Sequence, residues 1–457
     1  MLKDGPWGPV QMVYADWVAS GRALRQVEEF VLQEVLPVYA NSHTEASYCG
    51  REISRLREGA RREVLRQTGG DEACHAIFAG SGATAGINSI VHMLDIAARV
   101  RAGEDILVLT GPYEHHSNIL PWRETGARIR TIVEAPGGGV DLADLESALE
   151  AAKGCDLIVG TFSAASNVTG IITPTDPVTR ILKKYGALAI WDYAGGGPYL
   201  PIDMSPAPDC LKDAVVLSPH KFPGGPGASG LLVLRDTLVR NATPSSPGGG
   251  TVRFVSQWRH DYAPAVEARE EGGTPNIVGD IRAALCLIVK AEVGTDAIAQ
   301  RDHALHARAK ARLAAHPLIT LLGETSSAEC LPILSFRIRK ADGTWLHQQL
   351  ATRLLSDRYG VQARGGCACA GPYAHTLLDL SEAASEAMRD SILRGNELEK
   401  LGWVRLNLSY MHTDDEVDTI LTAITDLADR SDEFAKDYIA DPATARFRPK
   451  VAVGIAV

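Results

Sequence analysis

The chain alternates short apolar runs with helical stretches between residues 76 and 234, and this pattern limits the folds open to it. Apolar runs lie at 76–79, 105–109, 129–133, 157–159, 187–191, 214–217 and 231–234, and helical spacing occurs at about 84–100, 141–152 and 176–185. Strands that alternate with helices form a mostly parallel β-sheet with helices on both faces. Ligands of such sheets bind beyond the carboxyl ends of the strands, so reactive side chains are expected there.

The last third of the chain has a different pattern. Its predicted elements are helices at 278–293 and 295–314, strands at 331–338 and 403–409, and helices at 346–358 and 415–428, the last one opened by a capping box. A length of 457 residues is enough for two domains. We predict an N-terminal segment at 1–30 that packs near the active site, a large domain at 31–290, and a smaller domain at 291–457 that carries a cysteine loop. A polar helical stretch at about 379–400 is typical of a surface insertion.

Charge and composition exclude some classes of partner. The chain has 46 basic and 56 acidic residues, a net charge of −10, and no basic patch, which argues against nucleic-acid binding. No apolar run approaches the roughly 18 residues of a membrane helix, and the first residues lack the apolar core of a signal peptide. The eight cysteines are scattered, so they indicate no disulfide framework and favour a cytoplasmic location.

A lysine at a strand end is the first candidate for chemistry. The apolar run 214–217 ends in Ser218, Pro219, His220 and Lys221, and a glycine-rich stretch follows. A single lysine is usually a solvated surface group. Beside a histidine, in a loop of small residues that offers little cover, it is typical of a lysine that meets a flat cofactor as a Schiff base.

The loop at 79–86 is a candidate phosphate site. Its sequence, A-G-S-G-A-T-A-G, runs into a helix, and small residues at a helix start leave backbone N–H groups free for an anion. The same residues could form a dinucleotide fingerprint, but no acidic residue ends a second strand about 20 residues later. A simple packing turn is a third interpretation.

The other strand ends are also polar. His115 could stack on a flat ring, bind a metal or pack in the core, and the loop at 161–170 can donate hydrogen bonds. Asp192 follows a nearly apolar run, where a carboxylate is costly unless it is paired. A protonated pyridine nitrogen is a suitable partner; an N-cap or a structural ion pair is the alternative. Together, these ends favour a cofactor with a phosphate and a basic ring.

These motifs, in this order, resemble fold-type I pyridoxal-phosphate enzymes of the class V aminotransferase group, in particular the cysteine desulfurase and selenocysteine lyase branch. The matching segments are 114–122 (E-H-H-x-N-x-x-P-W), 166–170 (S-N-V-x-G), 218–221 (S-x-H-K), 271–276 (E-x-G-T-P-N), and Arg405 with the strand and turn that follow it to Thr413. The resemblance spans about residues 14–428. It implies an α/β fold with a mostly parallel seven-stranded sheet in the large domain and a smaller α/β C-terminal domain.

The resemblance also implies residue roles. Lys221 would form the internal aldimine with pyridoxal 5'-phosphate, His115 would stack on the ring, Asp192 would pair with the ring nitrogen, and Asn167 would lie near the ring hydroxyl. The phosphate would be held by Ala83, Thr84, Ser218 and His220, with Thr274 from a second subunit. That last contact implies a homodimer with shared active sites.

Two departures from the family pattern affect these roles. The family usually has D-G-A-Q or D-x-A-H where this chain has Asp192-Tyr193-Ala194-Gly195, so the side chain that would bond the phenolic oxygen of the cofactor is missing. The interval from Cys369 to Arg405 is also longer than usual, which reshapes the predicted entrance to the site.

A cysteine pair distinguishes among the reactions of this family. Residues 364–372, R-G-G-C-A-C-A-G-P, resemble the desulfurase loop R-x-G-x-x-C-A-x-P, which makes Cys369 the nucleophile. Zinc is a rival interpretation of Cys367 and Cys369, but no second cysteine pair has ligand spacing, so we predict no metal. Two structural thiols are a further alternative. Arg405, inside an apolar alternation, suits the α-carboxylate of a substrate, and Arg364 and Asn167 are further substrate contacts.

The reaction that the resemblance implies is removal of sulfur from L-cysteine or a related sulfur or selenium amino acid. Lys221 would remove the α-proton, Cys369 would take the sulfur as a persulfide, alanine would leave, and a sulfur-acceptor protein is a possible partner. Alternatives are a lyase, epimerase or aminotransferase that forms no persulfide, a nicotinamide dehydrogenase using residues 80–85, and a sulfur carrier without turnover. Cys367 could receive or protect the sulfur.

Overall fold

The computed structural model describes residues 1–42, 45–323 and 327–450. Its strands are β1 (Leu2–Gly5), β2 (Gly8–Gln11), β3 (Val13–Tyr14), β4 (Cys74–Phe78), β5 (Ile106–Thr110), β6 (Arg128–Thr131), β7 (Leu157–Ser163), β8 (Leu188–Asp192), β9 (Ala214–Leu217), β10 (Leu231–Arg235), β11 (Val252–Val255), β12 (His260–Tyr262), β13 (Ile319–Leu321), β14 (Ile333–Ile338), β15 (Val361–Gln362), β16 (Arg364–Gly366), β17 (Trp403–Asn407), β18 (Tyr438–Asp441) and β19 (Arg446–Pro449).

The α-helices follow the same order. They are α1 (Arg25–Phe30), α2 (Tyr48–Gln67), α3 (Ala83–Met93), α4 (Ile96–Arg101), α5 (Leu120–Arg123), α6 (Leu142–Ala151), α7 (Thr175–Lys184), α8 (Val266–Glu270), α9 (Ile277–Val293), α10 (Thr295–Ala314), α11 (Gln348–Tyr359), α12 (Gly371–Leu377), α13 (Glu382–Leu393) and α14 (Asp414–Ala435). None of the helices in the described ranges is long and apolar enough to cross a membrane.

The chain divides into two compact units. The larger comprises Ser20–Ser166 and Ile172–Ile298; the smaller comprises Met1–Ala19, Asn167–Ile171 and Ala299–Val457. The division predicted from the sequence, with boundaries at residues 30 and 290, stays a prediction of folding domains.

The larger unit contains a seven-stranded sheet in the order β4-β10-β9-β8-β7-β5-β6. All pairings are parallel except those of β10, which runs antiparallel to both β4 and β9. The segment 218–230 between β9 and β10 holds only a short 3₁₀ turn and no crossover helix, so the chain returns beside β9 in the opposite direction. The predicted α/β fold with a mostly parallel seven-stranded sheet is confirmed.

Buried residues cover both faces of this sheet. On one face α2 and α9 contribute Ile53, Val64, Ile281 and Leu287 to a core with the side chains of β7 and β8. On the other, α3 packs Ile87 and Ile90 against Val216 and Leu232. Burial on both faces explains why these strands read as continuous apolar runs in the sequence.

The prediction of one continuous helix at residues 84–100 is wrong. The structure breaks it into α3 and α4 at Asp95, which adopts a left-handed conformation (φ 53°). Leu94 and Ile96, on either side of the break, are both fully buried. An aspartate tolerates the left-handed region better than most residues, so the turn can form there and bring both apolar side chains into the core.

The smaller unit contains an antiparallel sheet in the order β13-β14-β17-β16. Its core includes residues from α10, α11 and α14. The predicted capping box is present, with Thr413 and Glu416 bonding each other's backbone N–H, and α14 extends seven residues past its predicted end. Helix α13, inside the predicted surface insertion, has no buried residue. The hairpin β18–β19 was not predicted, because its residues have no clear apolar alternation.

Candidate active site

The carboxyl ends of five strands point to one edge of the seven-stranded sheet. β5, β7, β8 and β9 are parallel neighbours, and β4 has the same direction because β10 is antiparallel to both β4 and β9. The loops that follow Phe78, Thr110, Ser163, Asp192 and Leu217 therefore leave the sheet at this edge. These are the loops in which the sequence places the cofactor-binding residues.

The first loop forms a tight cradle with the start of β10 and the residues after β9. The backbone N–H of Ala83 donates to Ser218 Oγ at 3.0 Å. Gly82 has φ +71°, and a Cβ atom there would lie 2.8 Å from Ser218 Oγ and 3.3 Å from His220 Cε1. The cradle thus brings together Ala83, Ser218 and His220, three of the predicted phosphate residues, at the start of α3, where the helix dipole favours an anion.

Thr84 and His115 are linked through one serine. Ser117 Oγ lies 2.7 Å from Thr84 Oγ1 and 3.0 Å from His115 Nδ1, and the backbone N–H of Ser117 donates to the same ring nitrogen at 3.1 Å. Nδ1 therefore accepts, and the proton of a neutral ring is on Nε2. The imidazole is half-buried and held in one orientation.

Glu114 is a buried carboxyl group to which the sequence reasoning assigned no role. It accepts hydrogen bonds from the backbone N–H of Ser163 (2.8 Å), from Ser163 Oγ (2.7 Å) and from Asn118 Nδ2 (2.6 Å). Burial raises the pKa of Glu114 to about 7, against the effect of these donors. Glu114 thus connects the His115 loop to the end of β7. Its position in the E-H-H-x-N motif was the sequence signal that could have indicated this structural role.

Asp192 is the last residue of β8 and is 3% exposed. Its Oδ1 accepts from the backbone N–H of Ala194 at 2.7 Å. Burial raises the pKa of Asp192, while the backbone bond and the attraction of Lys221 oppose the shift. A buried carboxylate with one backbone donor is suited to a cationic ring nitrogen.

Lys221 ends a 3₁₀ turn formed by Pro219, His220 and Lys221. The turn is backed by Gly21, whose N–H donates to His220 O at 2.8 Å and at which a Cβ atom would clash with Phe222 O. Burial, and then the charge of Lys221, lower the pKa of His220, which therefore stays neutral near pH 7. The Lys221 side chain is half-buried.

The smaller unit brings together the residues predicted to contact the substrate. Arg405 is 4% exposed; its Nη1 donates to Asn167 O at 3.1 Å and its Nη2 lies 3.3 Å from Asp16 Oδ1. Arg364 Nε donates to the other carboxylate oxygen of Asp16 at 3.1 Å. Asp16 thus holds both arginines, a role that the sequence did not reveal because the three residues are far apart in the chain.

Two buried polar atoms of this group are unpaired. Neither Asn167 Oδ1 nor Arg405 Nε has a hydrogen-bond partner within residues 1–42, 45–323 and 327–450. Burial lowers the pKa of Arg405, and the negative forms of Asp16 and Cys369 oppose this shift. Unpaired buried polar atoms are uncommon, and a bound carboxylate would satisfy the free Arg405 donor.

The cysteine loop is a tight turn between β16 and α12. Ala368 and Cys369 both have positive φ, 55° and 56°, and the backbone N–H of Ala370 donates to Cys367 O at 3.1 Å. Asn167 Nδ2 donates to Ala368 O at 2.8 Å. Cys369 is exposed and Cys367 half-buried. In the described part of the chain, no group of three or more His, Cys, Asp and Glu side chains could hold a metal ion.

The residues fit pyridoxal phosphate. The cradle at Gly82 and Ala83 suits its phosphate, Asp192 suits a protonated ring nitrogen, and the oriented His115 can cover a ring. Thr274 is exposed, in a loop that includes Gly273 with φ +84°.

The sequence profile described as aminotransferase class-V matches residues 13–419. The chain belongs to the class-V aminotransferase family. Its membership confirms the predicted family and makes this chain a pyridoxal-phosphate enzyme, as the sequence predicted.

Relatives of this chain carry more specific names. A probable cysteine desulfurase of Streptomyces coelicolor is 28% identical over 368 residues, which cover 79% of this chain and 84% of the relative. A cysteine desulfurase of an Enterobacter species is 28% identical over 365 residues, 79% of this chain and 85% of the relative. A solved cysteine desulfurase of Thermococcus onnurineus shares the fold with a TM-score of 0.74 and 23% identity, over 92% of this chain and 95% of that one.

Proposed function

We propose that this member of the class-V aminotransferase family is a cysteine desulfurase, which takes sulfur from L-cysteine or a related sulfur or selenium amino acid and releases alanine. The observation that supports this proposal most directly is the position of Cys369. It is exposed on a tight turn and lies within electrostatic range of Arg405, a buried arginine whose Nε has no hydrogen-bond partner among the described residues. The names of several relatives agree with this reaction.

Substrate binding is assigned to Arg405 and Asn167. The guanidinium of Arg405 forks onto the α-carboxylate of the amino acid, and Asp16 orients it from one side. Arg364, which shares Asp16, adds positive charge near the same carboxylate. The guanidinium of Arg405 stays charged at any physiological pH, so its recognition of the carboxylate does not depend on titration.

The cofactor is assigned to the cradle and the neighbouring strand ends. Pyridoxal phosphate, when bound, supplies the electron sink that makes the α-proton of the substrate acidic. Ala83, Thr84, Ser218 and His220 hold its phosphate, His115 covers its ring, and Asp192 keeps its nitrogen protonated. Lys221 Nζ accepts the α-proton and holds it for return.

Sulfur transfer is assigned to Cys369. Its thiolate attacks the sulfur of the substrate, a new S–S bond forms, and the C–S bond breaks with its electron pair left on carbon. The carbon is protonated, alanine leaves, and a persulfide stays on Cys369. A sulfur-acceptor protein is the proposed next partner, because an exposed persulfide is accessible to another thiol. A cytoplasmic location stays a prediction.

A homodimer is part of this proposal. The exposed Thr274 would serve the phosphate of a second subunit. The hairpin β11–β12 exposes large apolar side chains, among them Trp258 at 83% and Val255 at 64%, which a second copy of the chain would cover. Sedimentation equilibrium of the purified protein tests this: a monomer at micromolar concentration would contradict shared sites.

One observation favours a second candidate, a lyase, epimerase or aminotransferase that forms no persulfide. Gly195 is buried after Asp192 and Ala194, at the position where the family usually has a side chain that bonds the cofactor. A changed hydrogen-bonding pattern at the ring could direct the cofactor to another reaction.

The experiment that separates these candidates is an assay of the pure holoenzyme against a panel of amino acids, with sulfide, alanine, pyruvate and keto acids measured. We expect sulfide and alanine from L-cysteine, and loss of both in C369A. The variant K221A should lose the visible absorption band of the cofactor. Unchanged sulfide release by C369A would instead favour the second candidate, and C49S, at a half-buried cysteine of α2, is the matched control.

A further inference from the structure

Cys367 and Cys369 occupy the first and third positions of one closed turn. The N–H of Ala370 donates to Cys367 O at 3.1 Å, and both central residues, Ala368 and Cys369, have positive φ. This is the pattern of a type I′ turn, which usually contains glycine or asparagine at its centre. Ala368 and Cys369 are neither glycine nor asparagine, so their left-handed conformations each cost about 1 kcal/mol or more of free energy. The surrounding structure must therefore hold this turn in place.

Both ends of the turn, and its middle, are anchored. Gly366, just before it, pairs with Trp403 in the antiparallel sheet, and α12 begins at Gly371, just after it. In the middle, Asn167 Nδ2 donates to Ala368 O at 2.8 Å. The two cysteines are therefore presented by a fixed backbone rather than by a free loop.

This backbone holds the Cα atoms of the two cysteines at a separation over which disulfides form. Two Cα–Cα steps of about 3.8 Å each keep the Cα atoms of Cys367 and Cys369 less than about 7.6 Å apart, and closure of the turn shortens that distance. Disulfides join Cα atoms about 4.4–6.8 Å apart. Both thiols are free, and they differ in exposure: Cys369 is exposed and Cys367 half-buried.

We propose that Cys367 is a resolving thiol, which converts the persulfide on Cys369 into free hydrosulfide and a Cys367–Cys369 disulfide. This inference rests on the proposed function, because that reaction supplies the persulfide. The thiolate of Cys367 attacks Sγ of Cys369, a new S–S bond forms between the cysteines, and the bond to the outer sulfur breaks with its electron pair, so HS⁻ leaves. The disulfide is then reduced by a dithiol, which supplies two electrons and two protons.

The turn favours attack at the inner sulfur. Sγ of Cys369 stays on the turn, two residues from Cys367, whereas the outer sulfur lies a further S–S bond of about 2 Å away, at the exposed end. Because Cys367 is held beside Cys369, its thiol acts at a high effective concentration. A thiol from solution competes with it only at a comparably high concentration. The proposed acceptor protein would then compete with Cys367 for the outer sulfur, and the enzyme can release sulfide when no acceptor is present.

The test is a single turnover without reductant. The reduced, gel-filtered holoenzyme receives one equivalent of L-cysteine per protomer and no added thiol. Alanine and sulfide are measured over time, and the protein is alkylated and mapped by peptide mass spectrometry. For the unmodified chain we expect alanine, a nearly equal amount of sulfide, and a peptide in which Cys367 and Cys369 have lost two hydrogens.

The variants C367S and C367A should form as much alanine as the unmodified chain, which would show that they are folded and hold the cofactor. They should keep the extra sulfur on Cys369 and release sulfide at least about tenfold more slowly. The control C49S should match the unmodified chain. If the unmodified chain keeps its persulfide as long as C367S, or carries the extra sulfur on Cys367, the proposal is overturned while the proposed function stands. If it makes no alanine, both fail.

Discussion

Asp16 Oδ1 lies 3.3 Å from Arg405 Nη2, and the other oxygen of the same carboxylate accepts from Arg364. Asp16 therefore decides where the guanidinium of Arg405 points. Because Arg405 is nearly fully buried, loss of this aspartate would remove the ion pair that its charge makes with Asp16.

The variant D16N tests this relationship. Removing one partner of a buried ion pair leaves a buried charge uncompensated, so we expect the free energy of unfolding to fall by about 3 kcal/mol. We also expect KM for the amino acid to rise by about tenfold or more, with a smaller change in kcat, because the misdirected arginine weakens carboxylate binding. Steady-state kinetics and urea unfolding measure the two effects. The exposed pair of Asp342 and Lys340 offers a control, D342N, which should leave KM unchanged. An unaltered KM in D16N would contradict the role given to Asp16.

The variant G82A tests the phosphate cradle. The new Cβ atom would lie 2.8 Å from Ser218 Oγ at a residue with φ +71°, so the cradle must distort. We expect the affinity of the apoprotein for pyridoxal phosphate, measured by fluorescence titration, to fall by about tenfold to a hundredfold. The matched control is G59A, in the middle of α2, where an added Cβ meets only a flexible arginine at 3.8 Å. It should bind normally and be more stable by about 0.5–1 kcal/mol. Normal binding by G82A would show that the phosphate lies elsewhere.

The variant D192N should separate stability from activity. Burial makes the charged form of Asp192 costly, and an asparagine can still accept from the N–H of Ala194. We expect the apoprotein to unfold at a temperature a few degrees higher, and kcat to fall by about a hundredfold or more because the ring nitrogen loses its counter-charge. Asp203 forms the same local bond with Ser205 at an exposed position, so D203N is the control, with neither change expected. Full activity of D192N would refute the assigned role.

The variant D302N should show that Asp302 destabilises the smaller unit in a pH-dependent way. Asp302 is 3% exposed, neither of its oxygens has a hydrogen-bond partner among the described residues, and burial raises its pKa to about 8 against the opposing charge of Arg301. An acid with a raised pKa in the folded state binds more protons there than in the unfolded state, so its contribution to stability falls as pH rises from about 4 to 8. D302N should match the unmodified chain near pH 4 and exceed its stability by about 5 kcal/mol at pH 8. Urea unfolding at several pH values measures this, and a constant difference between the two proteins would contradict it.

The sequence predicted the parts of the fold that depend on local pattern. Runs such as 187–191 and 214–217 became buried parallel strands, and their ends placed Asp192 and Lys221 at one edge of the sheet. The capping box at Thr413 was correct for the same reason, because its partners are three residues apart.

What the sequence could not predict depends on distant partners. Asp16 meets Arg405 across 389 positions, and no local pattern sets that register. The break at Asp95 follows from where Leu94 and Ile96 pack, which only the assembled core determines. The turn at Ala368 and Cys369 is a third case. Alanine and cysteine usually avoid positive φ, and the hydrogen bond that holds this turn comes from the distant Asn167.

The strand β3 pairs with β15 near the other end of the chain, and Asp16 reaches Arg364 across 348 positions. During synthesis on the ribosome, at about 5–20 residues per second, the first residues therefore wait roughly 20–70 s for their partners to be made. The larger unit, whose last residue is Ile298, can be complete before then. Residues 13–16 are thus synthesised long before the partners that fix their place in the fold.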